Sequence, residues 1–206
     1  MRSRHVFLAL TASALALAAV PASAGVAVTT TRVSVNSAGA PGNACSGCSS
    51  NLPVSISATG RFVAFSDNAP NLVKDKRSYF YDVYVRDRVR GETTRVSLSS
   101  AGREGNDDSA FPSISANGRF VAFESPAPDL VKGDRNQAVD VFLRDRKRGQ
   151  TTLLSVSSEG EQGNSESSFP AISANGRFVA FSSLASNLVG GDRHNTADTF
   201  VRGPLR

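Results

Sequence analysis

The sequence predicts an all-β fold, a β-propeller built from about three four-stranded blades. The blades have a 58-residue period, as half of a six-bladed ring or as a partial propeller. Three observations predict it. First, "SISATGRFVAF" from Ser55, "SISANGRFVAF" from Ser113 and "AISANGRFVAF" from Ala171 repeat one word, with Arg61, Arg119 and Arg177 each 58 residues apart. Second, the copies stay alike well beyond that word. Third, no segment keeps a helical period, and Gly and Pro punctuate throughout. A β-sandwich of about seven to nine strands has no reason to repeat such a word.

Each unit divides into four strands, A to D. "SIS" is a short strand A with one inward position, at Ile56, Ile114 and Ile172. The Asn-Gly turn before Arg119 and Arg177 is a hairpin signal. "FVAF" is an unbroken apolar run that suits a strand B buried on both faces. "DVYVRD" and "DVFLRD" are strand C. "TTRVSL" at Thr93 and "TTLLSV" at Thr151 alternate, as an outer, half-exposed strand D does. The units fall near 55–112, 113–170 and 171–202. "TTRVSV", within 29–36, is a further D strand ahead of the first unit, and the last unit stops at strand C near Val201.

The stretch Ser115-Ala116-Asn117-Gly118-Arg119 followed by Phe120-Val121-Ala122-Phe123, with its counterparts from Ser57 and Ser173, resembles the WD40-like propeller repeats of TolB type. Their blade word is Ser-Pro-Asp-Gly-Arg before an apolar strand. Here Ala-Asn or Ala-Thr replaces Pro-Asp. The resemblance covers nearly all of 29–202 and implies the fold. It implies little about activity, because many activities use this repeat. The α/β domain that precedes the propeller in TolB has no counterpart here.

Residues 1–24 read as a signal peptide: Arg2 and Arg4, an apolar run from Val6 to Val20, then small residues at Ala22 and Ala24. Cleavage is expected between Ala24 and Gly25. The run is short for a membrane span, which takes roughly 20 residues, and the mature chain 25–206 has no other candidate. The expected location is secreted or periplasmic. Cys45 and Cys48, in "ACSGC", then meet an oxidising compartment and are read as a local disulfide, with a redox pair as the alternative. The formal charge of +5 is small. No basic stretch interleaves with aromatics, so nucleic acid is not an expected partner.

Propeller topology puts the A–B and C–D turns on one face and the long B–C and D–A loops on the other. The long-loop face is the candidate binding surface. Its candidate residues are Asn106, Asp107 and Asp108 in a D–A loop, and Asp134, Asn136, Asp140, Asp192, Asn195 and Asp198 in or beside the B–C loops. Asp134, Asn136 and Asp140 are candidate Ca²⁺ ligands, since Ca²⁺ takes several oxygens. The alternative is that they bond their own turns. The Arg-rich turns at Arg86–Arg90 and Arg144–Arg148 could hold anions, or serve as solvated hairpins that block edge pairing.

Catalysis is not expected. His194, the one His outside the leader, takes the place of Asn136 in the preceding unit, and no Gly-x-Ser-x-Gly stretch accompanies it. The expected function is an exported scaffold binding protein or glycan. The alternative is a subunit or fragment of a larger propeller enzyme or Tol-like envelope complex. Three blades are fewer than the about 4–8 with which propellers close. A homodimer is therefore expected, two chains joined head to tail into six blades, each N-terminal strand completing the partner's last blade.

Overall fold

In the computed structural model, residues 28–44, 52–192 and 196–205 are described. The expected signal peptide 1–24, its expected cleavage point between Ala24 and Gly25, and Cys45, Cys48, His194 and Asn195 lie outside them. From Arg32 onward the chain forms one compact unit. No helix occurs among the described residues.

Each repeat becomes one antiparallel sheet. The first holds β1 (Ser55–Ile56), β2 (Phe62–Asp67), β3 (Asp82–Asp87) and β4 (Glu92–Arg95) in that order. The second holds β5 (Ala110–Ile114), β6 (Phe120–Ser125), β7 (Asp140–Asp145) and β8 (Gln150–Leu153) in the same order. The third has β9 (Ser167–Ile172), β10 (Val179–Ser183) and β11 (Asp198–Arg202), with β10 in the middle. These are blades: up-and-down sheets with strand A first and strand D, where present, last. The segment 29–36 forms no strand within its own chain. Val35 alone makes a bridge, to Pro41. The expected closing strand therefore has no C strand to pair with here.

Alternation along the strands sends side chains to both faces of each blade. In β6, Val121 and Phe123 join the core shared with the first blade, while Ala122 joins the core shared with the third. In β7, Phe142 faces the first blade, and Val141 and Leu143 face the third. Opposite residues of strands B and C stack in every blade: Phe65 on Tyr84, Phe123 on Phe142 and Phe181 on Phe200, with ring centroids 5.8, 5.7 and 5.9 Å apart. "FVAF" is thus buried on both faces in the first two blades, while in the third Phe178 is exposed and Ala180 half-buried.

Strand A is longer than "SIS" in the second and third blades. Its inward isoleucine is not uniform either. Ile114 is buried, but Ile56 is 60% exposed. Ile114 is covered by the first blade, and no blade precedes Ile56.

Adjacent blades are joined by repeated bonds. The Ala58 amide donates to Ala116 O at 3.1 Å, and the Ala116 amide to Ala174 O at 2.9 Å. Ser55 Oγ accepts the Ile114 amide, and Ser113 Oγ the Ile172 amide, both at 3.0 Å. Phe62 lies over Gly118 of the next blade and Phe120 over Gly176. At the rim, Arg144 donates to Leu98 O and Ser99 O at 3.2 and 3.0 Å. Arg86 and Arg202 make the matching bonds, to Asn36 O and to Val156 O and Ser157 O. Arg86 and Arg144 therefore differ from the solvated hairpin residues the sequence suggested. Arg144 fastens the second blade to the first, and Arg86 fastens the N-terminal segment to the first blade.

Candidate functional site

The A–B and C–D turns do share a face. Arg88 and Arg146 donate their amides to Arg61 O and Arg119 O, and their side chains to Gly60 O and Gly118 O. Arg146 also lies over the Phe62 ring, 4.9 Å from its centroid. A groove of about 390 Å³ runs between the first two blades on this face, beside Arg61, Arg90, Arg119, Arg146 and Lys147. Asp87 and Asp145 neutralise Arg61 and Arg119, and the Arg146 head is spent on Gly118. The groove is a structural seam that keeps the positive charge of Arg90, Arg146 and Lys147, offset in part by Glu92.

The long loops meet on the opposite face, where each D–A loop is tied to the B–C loops. The Asn106 amide donates to Asp129 at 3.0 Å, and Asp108 accepts the Tyr81 amide at 2.7 Å. Asp107 accepts the Asp108 amide. Asn106 and Asp108 thus hold the loops together, and Asp107 braces its own turn.

The same place in successive blades is filled by different chemistry. In the first blade, Lys76 bonds Asp82 at 2.6 Å, and Arg95 reaches Asp82 at 3.3 Å and Glu104 at 2.9 Å. Ser97 donates to the other Asp82 oxygen at 2.7 Å. These charges cancel inside the loop cluster. In the second blade Asp134 replaces Lys76, Leu153 replaces Arg95 and Gln162 replaces Glu104. The Gln162 amide donates to Asp134 at 2.8 Å and to Asp140 at 2.9 Å, and Ser155 donates to Asp140. Among the described residues no Lys or Arg forms an ion pair with either acid. Burial pushes Asp140 up to about 6, against the bonds from Ser155 and Gln162. Burial also raises Asp134.

Asn136 spends its oxygen on the Ala138 amide and its nitrogen on Gly163 O. Of the three candidate Ca²⁺ ligands, Asp134 and Asp140 are brought together through Gln162, and Asn136, also in bonding reach of Asp140, ties its own loop to the D–A loop. The Gln162 amide occupies the space a cation would share. In the third blade Asp192 is half-buried in its loop and Asp198 is exposed at the start of β11.

A second feature sits where strand A leaves the long-loop side. Phe111 and Phe169 have φ of 52° and 56°, at register shifts in β5 and β9. Left-handed backbone costs a bulky residue about 1–2 kcal/mol. The two rings meet edge to face at 5.1 Å, and Phe169 is 62% exposed. Glu124 accepts the Phe169 amide at 2.8 Å, and burial pushes its carboxyl above the usual carboxylate range against that bond. The result is an exposed Phe169 ring, packed on the half-buried Phe111, beside a carboxyl group. The sequence concealed it. Pro112 and Pro170 follow these residues, and a residue before Pro is expected to be extended.

No protein-family model matches the sequence, and no curated protein matches it. Solved structures similar to the chain include the putative TolB of Agrobacterium tumefaciens, at 18% identity over 75% of this chain and 47% of that one, TM-score 0.45. The tricorn protease is similar at 17% identity over 73% of this chain and 13% of that one, TM-score 0.46. TolB of Acinetobacter baumannii follows at 13% identity over 74% and 32%, TM-score 0.41. This chain spans less than half of each of the three.

Proposed function

We propose that this chain is an exported, non-catalytic propeller scaffold that holds a protein or glycan ligand on its long-loop side. Export rests on the leader-like residues 1–24. No helix among the described residues is long and apolar enough to cross a membrane. In this reading the working unit is a ring, and a second copy of the chain supplies its other blades.

The observation that carries the binding role is the Phe111–Phe169 pair. Strained backbone is kept where the surrounding structure and a use both support it. An exposed aromatic face beside a hydrogen-bonding carboxyl suits stacking on a sugar ring or packing on a peptide side chain. Tyr79, 86% exposed in the first B–C loop, adds a second aromatic surface. No nucleophile with a paired base stands beside either feature among the described residues.

Glycan and peptide arrays probed with the full chain and with Phe169→Ala test this. The expected result is a ligand class bound by the wild type and lost in the variant, with the melting temperature of the variant unchanged or raised. Retention of every ligand by Phe169→Ala would remove the pair from the reading. Turnover of an arrayed ligand would overturn the non-catalytic role.

A further inference from the structure

We infer that the open edge of β11 is the docking site for residues 30–35 of a second copy of this chain, which enter as the missing fourth strand. The inference rests on the ring reading above and names the contacts that close the ring.

The donor segment is a D strand by its wording. Thr30-Thr31-Arg32-Val33-Ser34-Val35 matches Thr93–Leu98 and Thr151–Val156 position for position. The bridges Val35–Pro41, Leu98–Glu104 and Val156–Gln162 confirm that register. In its own chain the segment pairs with no strand, and Thr30, Thr31 and Arg32 are exposed.

The receiving edge is open where its counterparts are closed. Val201 is 68% exposed, against 0% for Val85 and 7% for Leu143. Asp198 is exposed, whereas Asp82 and Asp140 are buried. A fourth strand and a following blade cover those counterparts. An uncovered strand edge carries a row of free backbone groups that pair readily with another strand.

The contacts can be read across from the complete blades. Ser97 and Ser155 each bond the Asp that opens strand C, and each accept the next amide, from Val83 and Val141. Ser34 takes that place against Asp198 and Thr199. The Val96 and Leu154 amides donate to Val83 O and Val141 O, so the Val33 amide meets Thr199 O. Arg202 already grips Val156 O and Ser157 O, as Arg144 grips Leu98 O and Ser99 O. Thr151 completes the Arg144 clamp, and Thr30 completes that of Arg202.

Charge selects the same partner. The position of Arg32 is held by Arg95 in the first blade, where it pairs with Asp82. In the second blade it is Leu153, and Gln162 satisfies the acids instead. The incoming segment carries Pro41 at the position of Gln162, which has no side-chain donor to offer. Arg32 is then the group that meets Asp198.

Two features set the limits of the junction. Ala171 stands where Ser55 and Ser113 accept an amide from the next blade, so the inner strands lack that bond across the junction. Phe65 and Tyr84 are buried in the single chain and add no open surface. The rim strand therefore carries the joint. The described residues of one copy form three blades and those of two copies six, within the about 4–8 that close a ring, and three copies would exceed it. Two reciprocal exchanges give a closed pair with two-fold symmetry.

Light scattering with charge exchange tests the pairing on the full chain. The wild type is expected to be a dimer at micromolar concentration. Arg32→Glu and Asp198→Arg, each alone, are expected to raise the dissociation constant at least about tenfold. Mixing the two variants is expected to restore the dimer. The introduced glutamate then meets the introduced arginine at one joint, and Arg32 meets Asp198 at the other. A chain with Thr31→Cys, mixed with a differently tagged chain with Val201→Cys, is expected to give a mixed disulfide. A folded monomer overturns both the ring and the exchange, and leaves β11 to residues beyond this sequence or to another protein. A dimer indifferent to both charge changes overturns the exchange and leaves the ring standing.

Discussion

Arg61 closes on Asp87 with two bonds, Nε to Oδ1 at 3.0 Å and Nη2 to Oδ2 at 2.7 Å. Arg119 repeats the geometry on Asp145 at 3.0 and 2.6 Å. In the first two copies the Arg of the repeated word is thus locked to the last residue of strand C, and in the third Gly203 stands at the position of that Asp. This paired geometry is the strong form of a charge-assisted bond. It joins the A–B turn to the C–D turn and fixes where strand B begins.

The pair makes acid stability testable. The Arg61 guanidinium, helped by the Val89 and Arg90 amides, holds Asp87 down from 3.8 to about 2 despite its burial. A depressed carboxylate stabilises the fold fully above its ordinary range, and that contribution is lost as the pH falls through about 2. Arg61→Ala should lower the melting temperature at neutral pH and flatten its fall on acidification. The check is melting temperature against pH for both proteins. Parallel curves would dissociate the acid limb from this pair.

The junction glycines give a second outcome. Gly118 has φ of +72°, and a Cβ there would fall 2.1 Å from the Phe62 ring. Gly102 has φ of +76° with nothing within 4 Å. Gly102→Ala should cost only the backbone penalty, about 1 kcal/mol. Gly118→Ala should cost about 2–5 kcal/mol, because the ring must leave its seat between two blades. Denaturant midpoints compare them directly. Equal costs would show that Phe62 yields freely.

The three-blade fold was legible because "GRFVAF" binds sequence to structure at every level: turn, buried strand and repeat. Strand D was legible by alternation, and its missing partner by counting. The role of Arg144 was not, since sequence spacing cannot show which neighbouring carbonyls a side chain will meet. Ile56 was misread for a related reason. A repeat makes its copies look equivalent, but burial depends on what lies beside each copy. The Phe111–Phe169 pair was hidden because the following prolines argue for ordinary extended backbone.

Asp140 gives a pH effect of opposite sign. Its raised value of about 6 means that the folded chain resists its ionisation. Stability from the neutral carboxyl is complete at low pH and is lost as the pH rises through about 6. Asp140→Asn can still accept from Gln162 and donate to Ser155. It should therefore exceed the wild type above neutral pH by on the order of 2 kcal/mol. Chelator addition separates the cation reading. A Ca²⁺ ion between Asp134 and Asp140 must displace the Gln162 amide, so the expected result is an unchanged melting temperature. A fall with chelator, reversed by Ca²⁺, would place the ion there.

Arg144 offers the sharpest test of how blades are held. Its guanidinium is almost wholly buried and donates to Leu98 O, Ser99 O and Thr151 Oγ1. Thr151 in turn donates to Leu98 O. Met at this position keeps most of the side-chain volume but leaves two carbonyls of the preceding blade without that donor. Unmet buried polar groups cost about 1–3 kcal/mol each, so Arg144→Met should lose about 2–4 kcal/mol, read as a lower denaturant midpoint at constant slope. Thr151→Val should lose less, since the Arg144 bonds remain. The double variant should lose less than the two losses combined, because both side chains serve Leu98 O and share one network. Strict additivity would mean that Arg144 and Thr151 hold the rim independently and not as one network.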